Sequence, residues 1–405
     1  MKGTQQQGGR LWVTIALASC AVLLAASIVN SPGAAFEASL QGLTLWWRIV
    51  FPGLLPFLVL SQMLVAYGFV HAMGALLDPL LRKGLGVPGI AGWVIPLGLI
   101  AGFPAAAEAS AQLYTRGRIT ARQAEKLAAA GHFCNPMLII VVVGTGFLHK
   151  PGLGLLLAAV HGIAGIAAGL TLHKLILQSR RDLYQAGPDP VRTGSRLQQM
   201  VHSIEEARRL DGRSFGKLLG DTVASAVQTL MMIGGYMLIF AVLIRMIEFH
   251  IPGIGPSFIL PGLFEVHLGT YAAGTPSISA PALQAALLGA ILGFSGLCAY
   301  LQVRAVLRPA GIGTGGFLLT RILHGSYAYV LTLLLWKPLL KLFPGAAPVY
   351  GDIGTDDKPG YSILELPSWT QTFSLMEWQF ITLLFFTACL MLFAIIWRFR
   401  NGVSR

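Results

Sequence analysis

Arg321 and His324 stand one helical turn apart inside an otherwise apolar stretch, Phe317 to Trp336. An isolated charge at membrane depth costs at least ~2.5 kcal/mol, so a wet cavity or a partner must receive it. A guanidinium is also a rigid fork that can hold a carboxylate by two parallel hydrogen bonds. Other polar residues interrupt apolar runs in the same way. Glu108 follows Gly102-Phe103-Pro104, and His132 and Asn135 precede Pro136. Glu265 lies within Gly262-Leu-Phe-Glu-Val-His-Leu-Gly269, and Gln302 follows Gly293-Phe294-Ser295-Gly296. These residues suit binding better than catalysis, because no nucleophile, base and orienter occur together. Cys20, Cys134, Cys298 and Cys389 are far apart, with no Cys-x-x-Cys, which argues against a disulfide frame or a zinc site. No metal or cofactor is expected. Bland readings stand beside these: a simple helix kink at Gly102–Pro104, Glu108 pairing with Arg116 in water, and Glu265 as a helix cap. His161, His173 and His202 read as interfacial or solvated.

The elements that must position these residues are membrane helices. Of the 405 residues, 55% are hydrophobic and 11% charged, with mean hydropathy +0.68. Soluble proteins carry about 25% charged residues, so the chain reads as an all-α polytopic membrane protein in contact with lipid. The net charge of +12 comes from Lys and Arg in short loops. That placement sets orientation and argues against nucleic-acid binding.

The pattern predicts spans at Leu11–Val29, Leu43–Phe69, Met137–Leu148, Gly152–Ile176, Leu218–Ile244, Phe317–Trp336 and Trp378–Trp397, and an interfacial helix at His71–Lys83. Thr120-Ala-Arg-Gln123 resembles a capping box. The segment Gly89–Tyr114 breaks at Gly102–Pro104, leaving halves too short to cross about 30 Å of hydrocarbon, so a re-entrant hairpin is predicted. Gly131–Leu148 is predicted as a broken helix, because Gly-His-Phe-Cys-Asn-Pro unwinds its start. Residues Gln178–Lys217 hold eight Lys or Arg against five acids and read as a cytoplasmic loop. The second half repeats the scheme, and a second hairpin is predicted with its tip at Gly293–Gly296. Seven crossings follow, with inverted halves of odd crossing number. The division predicted is 1–40, an N-terminal helix; 41–178, a first repeat; 179–217, a basic loop; 218–398, a second, inverted repeat; and 399–405, a tail.

This order of motifs resembles the sporulation integral membrane proteins called YlbJ or SpoVV, grouped with the nucleoside-recognition or gate-domain superfamily and related to concentrative nucleoside transporters. The resemblance covers roughly residues 40 to 340. It implies that fold and transport of dipicolinic acid between mother cell and forespore. It places substrate contacts at Gly102, Phe103, Pro104, Asn135, Glu265, Gly293, Phe294, Gly296, Gln302, Arg321 and His324. Glu108 and His132 are candidates from their own positions. Glu108 stands where the family pattern has Lys, Tyr300 where it has His, and His132-Phe-Cys-Asn-Pro136 where it has Ser-Asn-x-Ser-Gly-Pro. A nucleoside or other small-solute permease, and a membrane scaffold for a sporulation complex, remain as alternatives. A homo-oligomer is left open.

Overall fold

The computed structural model describes residues 2–86, 89–176, 196–253, 257–274 and 280–346. The predicted span Trp378–Trp397 and its basic tail lie outside them. The described chain is helical, and five of its helices are long and apolar enough to cross a membrane.

Helix α1 covers Lys2–Asn30. Ser31 ends it, and Pro32, whose fixed φ suits a first helical turn, starts α2 at Pro32–Leu45. A π-helical stretch, Trp46–Val50, joins α2 to α3 at Phe51–Ala66. The whole run Pro32–Ala66 therefore starts eleven residues earlier than the span read at Leu43 (43 − 32). Trp46 explains the irregularity. Its indole N–H donates to the Leu230 carbonyl at 2.8 Å, and a Cβ on Gly234 would lie 2.6 Å from the ring. Trp46→Phe keeps most of this packing and loses the hydrogen bond, which is worth about 1 kcal/mol net. A small fall in the thermal midpoint of the purified protein is the expected result.

Gly68 and Gly86, both at positive φ, bracket α4 at Phe69–Leu85. Helices α5 (Val94–Ala101) and α6 (Ala105–Thr115) fold back on one another. A Cβ on Gly98 would stand 3.0 Å from the Ala106 Cβ. The hairpin read from Gly102–Pro104 is present. The Thr120–Gln123 capping box, with bonds of 2.9 and 3.2 Å, starts α7 at Ala121–Ala130. After the break 131–136 comes a second π-helical segment, Leu138–Phe147. Helix α8 is Pro151–Ile176.

Part of the polar loop is helical, as α9 at Arg196–Asp211, which packs on α4. The sequence reading missed it because α9 has no apolar stripe long enough to announce a helix. Arg213 then links Asp211 and Asp221 across the turn into α10, Phe215–His250.

The second half corrects one prediction. Its fold-back is formed by α11 (Ile259–Phe264) and α12 (Val266–Gly274), with Glu265 at the tip in extended conformation. Gly262 and Gly269 face each other so closely that a Cβ on Gly269 would meet the Gly262 Cα. By contrast α13 (Pro281–Phe294) and α14 (Gly296–Leu307) continue one another as a 27-residue run that can span. The break at Ser295 is thus an interruption in a crossing and not a hairpin tip. Two successive left-handed residues, Ser295 (φ 67°) and Gly296 (φ 78°), disrupt the helix without reversing the chain.

Helix α15, Gly315–Leu342, completes the described bundle. Its first turn is held by α7, whose Glu125 carboxylate accepts from the Gly316 N–H at 2.7 Å. One apolar core joins α3, the second π segment, α8, α10, α12 and α13. A second joins α4, α5, α6, α7 and α14 with Phe317.

Candidate functional site

Two interrupted helices, 121–147 and 281–307, pack on α15, and a hairpin tip lies against the break of each. Helices α7 and α13 both end there, so each presents unpaired carbonyls and the negative end of its dipole. Arg321, 2% exposed, answers both. Its Nη2 donates to the Ala129 carbonyl at 2.9 Å. Its Nη1 donates to the His132 carbonyl at 2.7 Å, with a longer contact of 3.4 Å to that of Gly293. The same Nη1 lies 3.2 Å from His324 Nδ1, and the guanidinium carbon stands 5.5 Å from the Phe317 ring centre. Arg321 therefore ties the two broken crossings together. The fork expected to receive a carboxylate is held by backbone in this arrangement, and its Nε has no partner among the described residues.

The histidines continue the network. Because Arg321 can only donate, His324 Nδ1 must accept, which leaves His324 Nε2–H to donate to the His161 carbonyl at 2.9 Å. His161 Nε2 in turn accepts the Cys134 N–H at 3.0 Å, so its hydrogen sits on Nδ1, which is buried without a partner among the described residues. The network thus assigns both rings as neutral. The two imidazoles lie 4.3 Å apart, bridging α8 and α15. His161 is a correction: it was read as interfacial or solvated and is 2% exposed. The repeated dipeptide His161-Gly162 and His324-Gly325, placed alike in two long apolar helices, was the signal that could have found it.

The first tip joins through His132, whose ring stacks on Phe103 (4.7 Å, 17°) and meets Phe317 edge-on at 4.9 Å. Gly102, at φ 78°, sits over Asn135, where an added Cβ would come within 3.4 Å of the asparagine Cβ. Asn135 Oδ1 accepts from the Met137 N–H at 2.7 Å and so restarts the helix after Pro136. The Phe103–Pro104 peptide is cis, and the Pro104 carbonyl opens α6.

The second tip joins through Gly296. A Cβ there would lie 2.9 Å from the Phe264 carbonyl oxygen and 3.1 Å from the Glu265 nitrogen. Gly293 packs so tightly on α15 that a Cβ would come within 2.8 Å of the Gly325 backbone. The two breaks also touch directly, with Cys134 Sγ 3.3 Å from the Leu292 carbonyl, which Ser295 Oγ also donates to at 3.0 Å. Phe294 is half-buried beside Gly325. Glu265 caps α12, accepting the Leu268 N–H at 2.8 Å, so the bland reading of this residue is part of the truth.

Two expected site residues are not drawn into this cluster. Glu108 is exposed, sharing with Gln112 the one stripe of α6 that its neighbours leave uncovered. Gln302 lies farther along α14, half-buried, with its amide on Cys298 Sγ at 3.2 Å.

Comparison with known proteins decides the family. Over 345 residues the chain is 36% identical to the sporulation integral membrane protein YlbJ of Bacillus subtilis (strain 168), covering 80% of this chain and 83% of the relative. The chain belongs to the YlbJ family of sporulation integral membrane proteins. No family model matches the sequence, and no solved structure matches it. YlbJ family membership and the apolar helices together make this an integral membrane protein.

Proposed function

We propose that the protein is a permease for a small anionic aromatic solute, with dipicolinate the candidate that the family resemblance implies, working by alternating access in a membrane around the forespore. The observation that carries the reading is the meeting of two broken helices on one buried guanidinium, with a hairpin tip packed against each break. Irregular backbone at membrane depth persists only where protein or a wet passage satisfies it. A purely structural bundle of continuous helices would need no such centre.

The element order supports two inverted halves of the kind found in secondary transporters. Long helix α3, hairpin α5–α6, broken crossing 121–147 and α8 correspond to α10, hairpin α11–α12, broken crossing 281–307 and α15. Each half then has three crossings, an odd number, which inverts one relative to the other. On this reading the adjacent rings of His161 and His324 are counterparts. Arg321 has no counterpart, because the equivalent position in α8, three before the histidine, is Ala158. One basic fork beside paired neutral histidines suits a single anion. Buried atoms without partners, Arg321 Nε, His161 Nδ1 and His132 Nε2, are the groups left to meet its carboxylates. Phe103 and Phe294 are the rings available to an aromatic face.

Calorimetric titration of the purified protein tests the reading. Dipicolinate should bind and uridine should not. Arg321→Lys should weaken dipicolinate about ten- to hundredfold, because an ammonium keeps the charge but loses the planar fork. Binding of uridine with no binding of dipicolinate would transfer the site to a neutral solute, and binding of neither would favour the scaffold.

A further inference from the structure

The second hairpin tip carries a buried pair that plays no part in holding the broken crossings. Glu265 and His267 are 3% and 4% exposed, and Glu265 Oε1 lies 2.7 Å from His267 Nδ1. The other carboxylate oxygen is occupied by the Leu268 N–H. His267 Nε2 is buried and has no partner among the described residues. With hydrogen on Nδ1, the ring donates to the carboxylate and leaves Nε2 as a vacant basic nitrogen, and the pair carries one negative charge. A proton placed on Nε2 makes an imidazolium against the carboxylate and brings the pair to neutrality. The vacant Nε2 is the atom of the pair left open to a compensating proton.

Its surroundings offer little competition. The titratable groups that interact with Glu265 from other elements are the thiols of Cys134 and Cys298. Arg321 lies beyond the Gly293–Gly296 break, bound to the Gly293 carbonyl. Helices α11 and α13 and the second π segment, which pack on α12, contain no titratable residue. On α10, which also touches α12, Lys217, Asp221, Tyr236, Arg245, Glu248 and His250 are exposed or partly so. Among the described residues no third His, Cys, Asp or Glu joins the pair into a group that could hold a metal ion.

Resting on the permease reading above, we propose that Glu265 and His267 form the site of a coupling proton that moves with the anionic solute. The proton enters from water on one side onto His267 Nε2 and leaves from the same nitrogen to water on the other. No other bond is made or broken. Carrying it offsets one of the charges of the anion. The tip is placed to report occupancy, because its backbone lies against Gly296, one end of the break whose other end, Gly293, rests on Arg321.

The test uses the full-length protein in liposomes with the membrane potential held at zero by valinomycin and equal potassium, and labelled dipicolinate as the probe. Exchange of labelled for unlabelled dipicolinate is measured without a pH gradient, and accumulation is measured with one. One proton per solute gives about a tenfold accumulation ratio per pH unit. In His267→Asn the side-chain amide replaces Nδ1–H but nothing replaces Nε2. That variant should keep exchange and lose the accumulation. Exchange with accumulation unchanged in His267→Asn overturns the proton site and leaves the permease reading standing. Absence of dipicolinate exchange by the parent protein overturns both.

Discussion

Arg321→Ala is expected to abolish dipicolinate transport and to lower the stability of the protein by roughly 3–5 kcal/mol, the range for breaking a buried charged network by removing one partner. The reason lies in what Arg321 holds. Its removal leaves the Ala129 and His132 carbonyls, at the end of α7 and in the break that follows it, without their donor, and each buried unsatisfied group costs about 1–3 kcal/mol. His324 Nδ1 loses its donor as well. Arg321→Lys should separate the two effects. An ammonium can reach one or two of these acceptors, so thermal stability should return in large part while transport returns little. Thermal unfolding of both purified variants, measured beside uptake at equal abundance, decides it. Full stability in Arg321→Ala would show that the carbonyl contacts carry no weight.

Gly98→Ala is expected to yield no folded protein. The first hairpin packs against the end of α7 with no space between backbones, and a Cβ on Gly98 would fall on the Gly131 carbonyl oxygen. The added atom meets backbone, which cannot rotate away as a side chain can. Gly131 is fixed in turn, since a Cβ on it would stand 2.9 Å from the Ala106 Cβ. Overpacking by one methyl ordinarily costs about 1–3 kcal/mol, and a clash this deep lies at or above the top of that range. Gly117→Ala is the control for a hairpin-adjacent glycine with open space around it; it bears only the cost of its positive φ. Size-exclusion profiles of the two variants in detergent should show a monodisperse peak for Gly117→Ala alone.

Much of this architecture was legible because Pro and Gly mark interruptions chemically. Gly102–Pro104 and Gly131–Pro136 could not continue a helix, and both are breaks in the structure. The second half was harder to read, since local residues do not say whether an interrupted chain reverses or runs on. Gly293–Gly296 looked like a tip and continues a crossing, while the actual reversal at Glu265 sits between two very short helices. The buried centre was legible only in part. A charge and a histidine in an apolar span announced themselves, but the partners of Arg321 are backbone carbonyls, which carry no side-chain signature. His161 is one polar residue on an apolar helix, and only the packing of α8 on α15 reveals its contact with the His324 ring. Glu108 misled because its charge was visible and the stripe of α6 it occupies was not.

Exchange of labelled dipicolinate across liposomes that contain the purified protein, with no pH gradient imposed, is the measurement on which the reading of a solute passage closed around Arg321 depends. The parent protein should exchange the label, unlabelled dipicolinate should compete, and Arg321→Lys should fall at least about tenfold, in line with the loss of charged hydrogen bonds. Exchange at the same rate in Arg321→Lys and Arg321→Ala as in the parent would remove Arg321 from the passage, and no exchange by correctly folded parent protein would remove the passage itself.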